Sequence, residues 1–371
     1  MKFHWRMPQG GERAGASRAL QASLPETGLP DLDAQANFCR AAEECGIDSL
    51  LTDFGWTKPD PIVLCTALGL RTSSIKFIVA YRSGLICPTS FVHQINTLSA
   101  VIGGRVSINV VAGDSPEEQR AFGDFLDHDE RYARTEEFLA VCNGLWDRGS
   151  VSFAGRYYRV ENAKLNTPFL ECGGGATALK AVAAPPHSKP ALYIAGNSEQ
   201  ARQLAITEGT CWMQIADDPD RIRERGAAVL KAGKELGVRM SIIGGRTRGE
   251  ALKNAYDLVR REDGKAETEF VRNSDSINVN TTANKDEWLR PWLWTGAVKT
   301  HGTPSIALVG SPTDIAEGID AYHRAGVTQF ILSGWPKLDS MLFFAHEVVP
   351  LLECGGKAAA FEHERVATVL T

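Results

Sequence analysis

The residues able to do chemistry are scattered through this sequence, and the scatter is informative. His4, Asp53, Asn109, Asn197, Ser198, Gln214 and Arg246 each stand at or just past a short apolar run. No nucleophile among them has a base at hand. The histidines form no H-x-H or H-E-x-x-H, so no metal site is expected. Neither a P-loop nor a G-x-G-x-x-G follows an apolar run. Triad hydrolysis, metal catalysis and Rossmann-type dehydrogenation are therefore disfavoured. What remains suits a flat polar ligand carrying a phosphate. Ala195-Gly196-Asn197-Ser198 marks a strand-to-helix junction, where Gly196 permits close approach and Ser198 would meet an anion at a helix N-terminus. A plain N-cap explains Ser198 equally well. Asn109 could bond a heterocycle edge or be a core amide satisfied by a neighbouring strand. His128 and Tyr132, in a charged run opening a helix, could touch a ligand or only solvent and packing.

The elements that must position these residues alternate. Short apolar strands are expected at 2–8, 47–52, 75–80, 106–111, 191–195, 210–215, 240–244 and 328–333, nearly all followed by a helix. Asp60 with Pro61, for example, reads as a helix start. Short buried runs alternating with helices mean a parallel sheet, and eight such units fit a (β/α)8 TIM barrel. One domain over 1–371 is expected, with two insertions. The first, about 149–190, contains a hairpin at 150–166. The second, 262–304, is long enough to be an active-site lid. A further short strand at Ile306–Val309 is a candidate. In a barrel the carboxyl ends of the strands form the site. That rule collects His4, Trp5, Asp53, Ala80, Tyr81, Asn109, Val111, Ala195 to Ser198, Gln214, Arg246 and Trp335.

Hydrophobic residues make up 43% and charged residues 23%, as in ordinary globular proteins. A net charge of -5 argues against nucleic-acid or anionic-membrane partners. No C-x-x-C pair occurs, so reduced, buried thiols are expected rather than disulfides. Without an apolar signal core or membrane-length run, a cytoplasmic location is expected.

Three spaced blocks carry a resemblance: INVVAGDSPEEQRAFGDFLDHDERYARTEEF at 108–138, LYIAGNSEQARQLA at 192–205, and ALVGSPTDIAEGIDAYHRAGVTQFILSGWPKLD at 307–339. The chain resembles the bacterial-luciferase-like flavin monooxygenases, and within them the alkanesulfonate monooxygenase group. The resemblance implies an insertion-bearing TIM barrel that takes reduced FMN (FMNH2) from a separate NAD(P)H:flavin reductase. It implies O2 as co-substrate and oxygenation through a C4a-peroxyflavin. By matching position, Ala80 and Asn109 would face the isoalloxazine, and Val111 is a further cofactor-binding candidate. His128, Tyr132, Gly196, Asn197 and Ser198 would hold the ribityl chain and phosphate. A homodimer or homotetramer through outer helices is also implied. The Pro88–Ile102 helix face (Phe91, Val92, Ile95, Leu98) is compatible with that, as it is with burial on the barrel.

Several positions depart from the group. Lys58 stands for a cysteine, Ile243 and Gly245 for an Arg-x-His pair that contacts the sulfonate, His301 for a lid arginine, and Trp335 for the tyrosine of S-G-Y-P. The expected catalytic set is accordingly His301, Trp335, Arg246 and Asp53. A less cationic, aromatic-rich pocket would favour a small neutral or apolar substrate over a simple alkanesulfonate. Two other readings stay open: a deazaflavin (F420)-dependent oxidoreductase of the same superfamily, and a non-catalytic flavin-binding relative.

Overall fold

The computed structural model describes residues 1–9, 29–56, 58–113, 115–172, 188–260 and 286–352, without the side chains of 299 and 300. Along the chain, β1 (Lys2–Arg6), β2 (Ser49–Thr52), β3 (Lys76–Tyr81) and β4 (Val106–Val110) alternate with α1 (Leu32–Glu44), α2 (Pro61–Gly69) and α3 (Pro88–Val101). Two helices follow β4, the short α4 (Pro116–Ala121) and the long α5 (His128–Arg148). Next come the hairpin strands β5 (Ser150–Ala154) and β6 (Arg159–Lys164). The alternation resumes with β7 (Leu192–Ala195), α6 (Glu199–Thr207), β8 (Cys211–Ile215), α7 (Pro219–Lys231), β9 (Glu235–Gly244) and α8 (Arg248–Arg260). A meander follows: β10 (Trp288–Arg290), β11 (Leu293–Trp294), the one-turn helix α9 (Val298–His301) and β12 (Ala307–Gly310). The described chain ends with α10 (Pro312–Arg324), β13 (Val327–Gly334) and α11 (Lys337–Phe343), then a π-turn and a 3-10 turn.

Eight parallel strands, β1-β2-β3-β4-β7-β8-β9-β13, close into a ring, because β8 pairs with β9 and β13 with β1. This is the expected (β/α)8 TIM barrel. The helix starts follow from local chemistry. Asp60 Oδ1 accepts from the Ile62 and Val63 amides at 3.0 Å each, ahead of Pro61. Asp127 and Glu130 form a capping box on α5, as Ser311 and Asp314 do on α10.

Alternation along the strands separates two cores. Trp5, Leu50, Phe77, Val79, Ile108 and Leu332 pack outward with the helices in the main cluster. Leu51, Ile78, Tyr193, Cys211, Met213 and Ile331 form a distinct cluster inside the ring. Residues in register with that inner set, including His4, Arg6, Asn109 and Arg239, therefore face the barrel axis. Phe91, Val92, Ile95 and Leu98 of α3 are all buried, so burial within this chain accounts for the face considered for association.

β9 begins at Glu235, well before the expected Met240. A strand has only two edges, and β13 occupies one of them along Leu236–Ile242. On the other edge β9 pairs first with β8, through Glu235–Arg239, and then with β12, through Ser241–Gly244. The meander thus enters the sheet beyond the end of β8. Its junction carries a small core of its own, in which Ile243 and Val309 pack with Ala251, Ala255 and Trp294. Of the second expected insertion, 286–304 is this meander and 262–285 lies outside the described residues. Within the first, the hairpin is present and 173–187 lies outside them.

Candidate active site

At the carboxyl end of the ring, Ala80 on β3 and Asn109 on β4 are register partners, both buried and facing inward. Asn109 Oδ1 is buried without a hydrogen-bond partner. The reading of Asn109 as a core amide satisfied by its neighbours fails for that atom. Val111 follows, half-buried, its amide donating to Tyr81 O at 3.0 Å.

The β7–α6 junction brings four of the predicted residues together. Gly196 has φ +138°, and a Cβ there would stand 2.6 Å from Tyr132 Oη and 3.0 Å from Ala201 Cβ. Its amide donates to Met213 O (3.1 Å), and its carbonyl accepts from Trp212 Nε1 (2.8 Å). Asn197 Oδ1 accepts from the Ile215 amide at 2.9 Å, and Ser198 Oγ caps α6 through the Ala201 amide at 3.2 Å. The capping explanation of Ser198 is thus realised in the side chain. His128 packs against Tyr132 with the rings tilted at 52° and their centroids 5.0 Å apart. Its Nδ1 lies 2.9 Å from Asp129 Oδ1, which also accepts from Gln200 Nε2 at 2.9 Å, so the first turns of α5 and α6 are tied together.

Across the mouth stands a charged cluster. Asp53 is bonded by Arg6 Nε, by Lys58 Nζ at 3.1 Å and by Arg239 Nη2 at 3.4 Å. Gln9 fixes the Asp53 backbone from both sides, accepting from its amide (2.9 Å) and donating to its carbonyl (3.1 Å). Burial alone would raise the Asp53 pKa, but the charges of Arg6, Lys58 and Arg239 outweigh it and hold the carboxyl well below the usual range. Asp53 is therefore an ionised anchor at neutral pH, not a general acid. Burial pushes the Lys58 pKa down, with Asp53 opposing and the Arg6 charge adding.

His301 and Trp335 meet edge to face, ring centroids 5.2 Å apart, so α9 is folded against the end of β13. The other strand-end candidates are placed differently. Arg246 is exposed at the head of α8, its amide held by Glu250 Oε2 at 2.9 Å, and it does not join the cluster. Arg239 is the β9 arginine that reaches Asp53. Ile243 is buried in the meander's small core, which explains why it cannot serve as a ligand position. The expectation of a weakly cationic pocket rested on Ile243 and Gly245 and is corrected by Arg6, Lys58 and Arg239. Gln214 pairs with Val238 of the outward set and faces the helices, and Trp5 lies in the outer core.

His4 lies deeper in the barrel. Its Nδ1 is 2.6 Å from Ser49 Oγ and its Nε2 2.7 Å from Gln329 Oε1. Gln329 Nε2 donates to Glu235 Oε2 at 2.8 Å, so its oxygen must accept. His4 is therefore neutral with the proton on Nε2. Burial drives its pKa down to about 4.

Among the described residues no group of three or more His, Cys, Asp or Glu could hold a metal, and no helix is long and apolar enough to cross a membrane. A cavity of about 710 Å³ opens beside α5, β5 and the start of β8, at the amino end of the strands. Barrel chemistry is built at the opposite end, so that cavity is set aside as the candidate site.

The luciferase-like monooxygenase family matches residues 1–329. The chain belongs to this family. Solved structures share the fold at low identity. Riboflavin lyase with modified FMN and riboflavin is 19% identical, TM-score 0.70, over 95% of this chain and 91% of that one. A long-chain alkane monooxygenase is 19% identical, TM-score 0.68, over 95% and 91%. An F420-dependent secondary alcohol dehydrogenase is 18% identical, TM-score 0.62, over 95% and 100%. The family's structures thus include FMN- and F420-dependent members.

Proposed function

We propose that this protein is an FMNH2-dependent monooxygenase of a two-component system, supplied by a separate NAD(P)H:flavin reductase and oxygenating a small organic substrate with O2. The observation that carries this reading is the orphaned acceptor, Asn109 Oδ1, buried beside Ala80 in the innermost layer of the mouth. A buried acceptor without a donor costs about 1–3 kcal/mol, and an imide N–H of a flavin ring would meet it. A second feature fits the same ligand. The Gly196 cradle, closed by Tyr132 Oη and lying at the start of α6, suits a chain ending in phosphate.

When bound, reduced FMN supplies the electrons that activate O2. This chain's residues do the rest. Ala80 and Asn109 give the ring a buried floor. His128, Tyr132, Gly196, Asn197 and Ser198 receive the ribityl phosphate. Trp335 and His301 close one side against water. Asp53 stays ionised and holds Arg6, Lys58 and Arg239 in place, which favours a substrate with a polar or acidic end over a wholly neutral one. Assembly as a homodimer or homotetramer belongs to the same proposal.

Anaerobic titration of the purified chain with FMNH2 and with reduced F420, read by tryptophan fluorescence, tests it. Tighter binding of FMNH2, followed by O2 consumption on mixing with air, is expected. Preference for F420 with O2-independent hydride transfer would replace this reading with the dehydrogenase. FMN binding without O2 consumption would favour a non-catalytic relative.

A further inference from the structure

Away from the proposed flavin floor, the β3–α3 loop and the segment after α4 enclose a small cavity of about 40 Å³. Arg82, Gln119 and Arg134 are among the residues that line it. Ser83 and Asp124, which accept from Arg134, line the same cavity. Arg82 Nη2 is bonded to Glu118, and Arg134 is bonded to Asp124 Oδ2 at 2.6 Å, Asp124 Oδ1 at 3.1 Å and Ser83 O at 3.0 Å. What they leave unmet is mostly donors: Arg82 Nε and Nη1, Arg134 Nε and Gln119 Nε2 are buried without partners, against one acceptor, Gln119 Oε1. Arg82 is 8% and Gln119 2% exposed, so bulk water does not satisfy them. Gly113 has φ +98°, where a side chain is strained, and a Cβ there would stand 2.7 Å from Gln119 Nε2.

We propose that this cavity is a binding site for one small monovalent anion of halide size, held by Arg82, Arg134 and Gln119. Water must donate as well as accept, whereas the unpaired side-chain atoms of the lining are four donors and one acceptor. An acceptor-only guest matches that imbalance, and charge-assisted bonds from two guanidinium groups strengthen it. The space, about 40 Å³, suits a compact guest. Glu118 and Asp124 already offset the two arginines, so unpaired donors rather than net charge hold the guest, and a divalent anion such as sulfate is disfavoured. The anion would join α4 and α5 to the end of β3, on the scaffold that carries Tyr132.

The test is thermal unfolding of the purified chain in chloride, bromide or sulfate at constant ionic strength, with gluconate as the balancing anion. Chloride and bromide should raise the midpoint saturably, by about 2–5 °C, and sulfate should not. Gln119→Leu should abolish the halide response and raise stability in gluconate, because it removes the unpaired amide. Arg82→Met should abolish the response too. Crystals grown in bromide should show one anomalous peak between Arg82 and Gln119. Identical midpoints in all salts, a response that survives Gln119→Leu, or an ordered water without anomalous signal would each overturn the proposal. Flavin titration of the same variants reads the proposed function separately.

Discussion

Gly196→Ala puts the β7–α6 junction to the sharpest test. The new methyl would stand 2.6 Å from Tyr132 Oη and 3.0 Å from Ala201 Cβ, on a backbone at φ +138°. Backbone strain of that kind costs about 1–3 kcal/mol, and overpacking a tight site about 1–3 kcal/mol more. A loss of roughly 2–6 kcal/mol lowers the thermal midpoint by about 4–12 °C in a chain of this size. Tyr132→Phe gives the control. It deletes the oxygen at 2.6 Å and leaves ring carbon Cζ at 3.9 Å, an ordinary contact. The alanine should therefore cost about 1–2 kcal/mol less in the Tyr132→Phe background than in the wild type, a coupling within the range for touching residues. Urea melts of the four proteins measure it. FMN affinity should fall with Gly196→Ala while riboflavin affinity falls less, because the cradle is assigned to the phosphate. An equal cost in both backgrounds would refute the packing argument, and an equal loss for FMN and riboflavin would refute the assignment.

Three further expectations follow from the site and its floor. Asn109→Val should leave stability unchanged or higher, because it removes an unpaired acceptor, yet weaken flavin binding up to about tenfold; titration and melts together check it, and intact flavin affinity would count against the floor. His4 is held neutral, with its pKa at about 4 against 6.5 in the unfolded chain. The unfolded chain therefore binds a proton first as pH falls. Stability should drop between pH 6.5 and about 4, by up to about 3 kcal/mol, and a flat urea-melt profile across that window would contradict the buried network. Asp53→Asn removes the carboxylate that Arg6, Lys58 and Arg239 share, costing roughly 2–3 kcal/mol, less than a fully buried pair because the cations are partly exposed. Because the Asp53 pKa is depressed, the wild type keeps this stability above pH 3.8 and loses it as pH falls further, whereas the variant should lack that acid-side loss.

The barrel was legible because most of its strands are short apolar runs and several helices begin on a readable cap. Asp60-Pro61, Asp127 with Glu130, and Ser198 did in space what their types suggest in sequence. The Gly196–Tyr132 contact was legible only through resemblance, since sixty-odd residues separate the two and no local pattern links them. Arg82 and Gln119 went unnoticed for a different reason. Each looks like a surface residue in its own polar segment, and only the closure of α4 over β3 makes them buried and partly unpaired.

The misplacement of Arg246 has a single physical origin, in β9. Starting the strand at Met240 makes the arginine just past its end, Arg246, look like the residue facing the mouth. The segment before it, with Gly233, Lys234 and Gly237, resembles a turn. Yet a period-two signal runs straight through it. Leu236, Val238, Met240 and Ile242 all pack outward on the helices, while Glu235, Gly237, Arg239 and Ser241 take the inner face. Glycine at 237 is no break there, since a Cβ would collide with Met213 at 2.3 Å; it is the small residue a crowded barrel interior requires. Alternation thus outranks composition in a strand that is half inside a barrel. Read that way, the segment puts Arg239 beside Asp53 and leaves Arg246 in solvent. It also gives the pocket expected to be less cationic a charged wall of Arg6, Lys58 and Arg239 around Asp53.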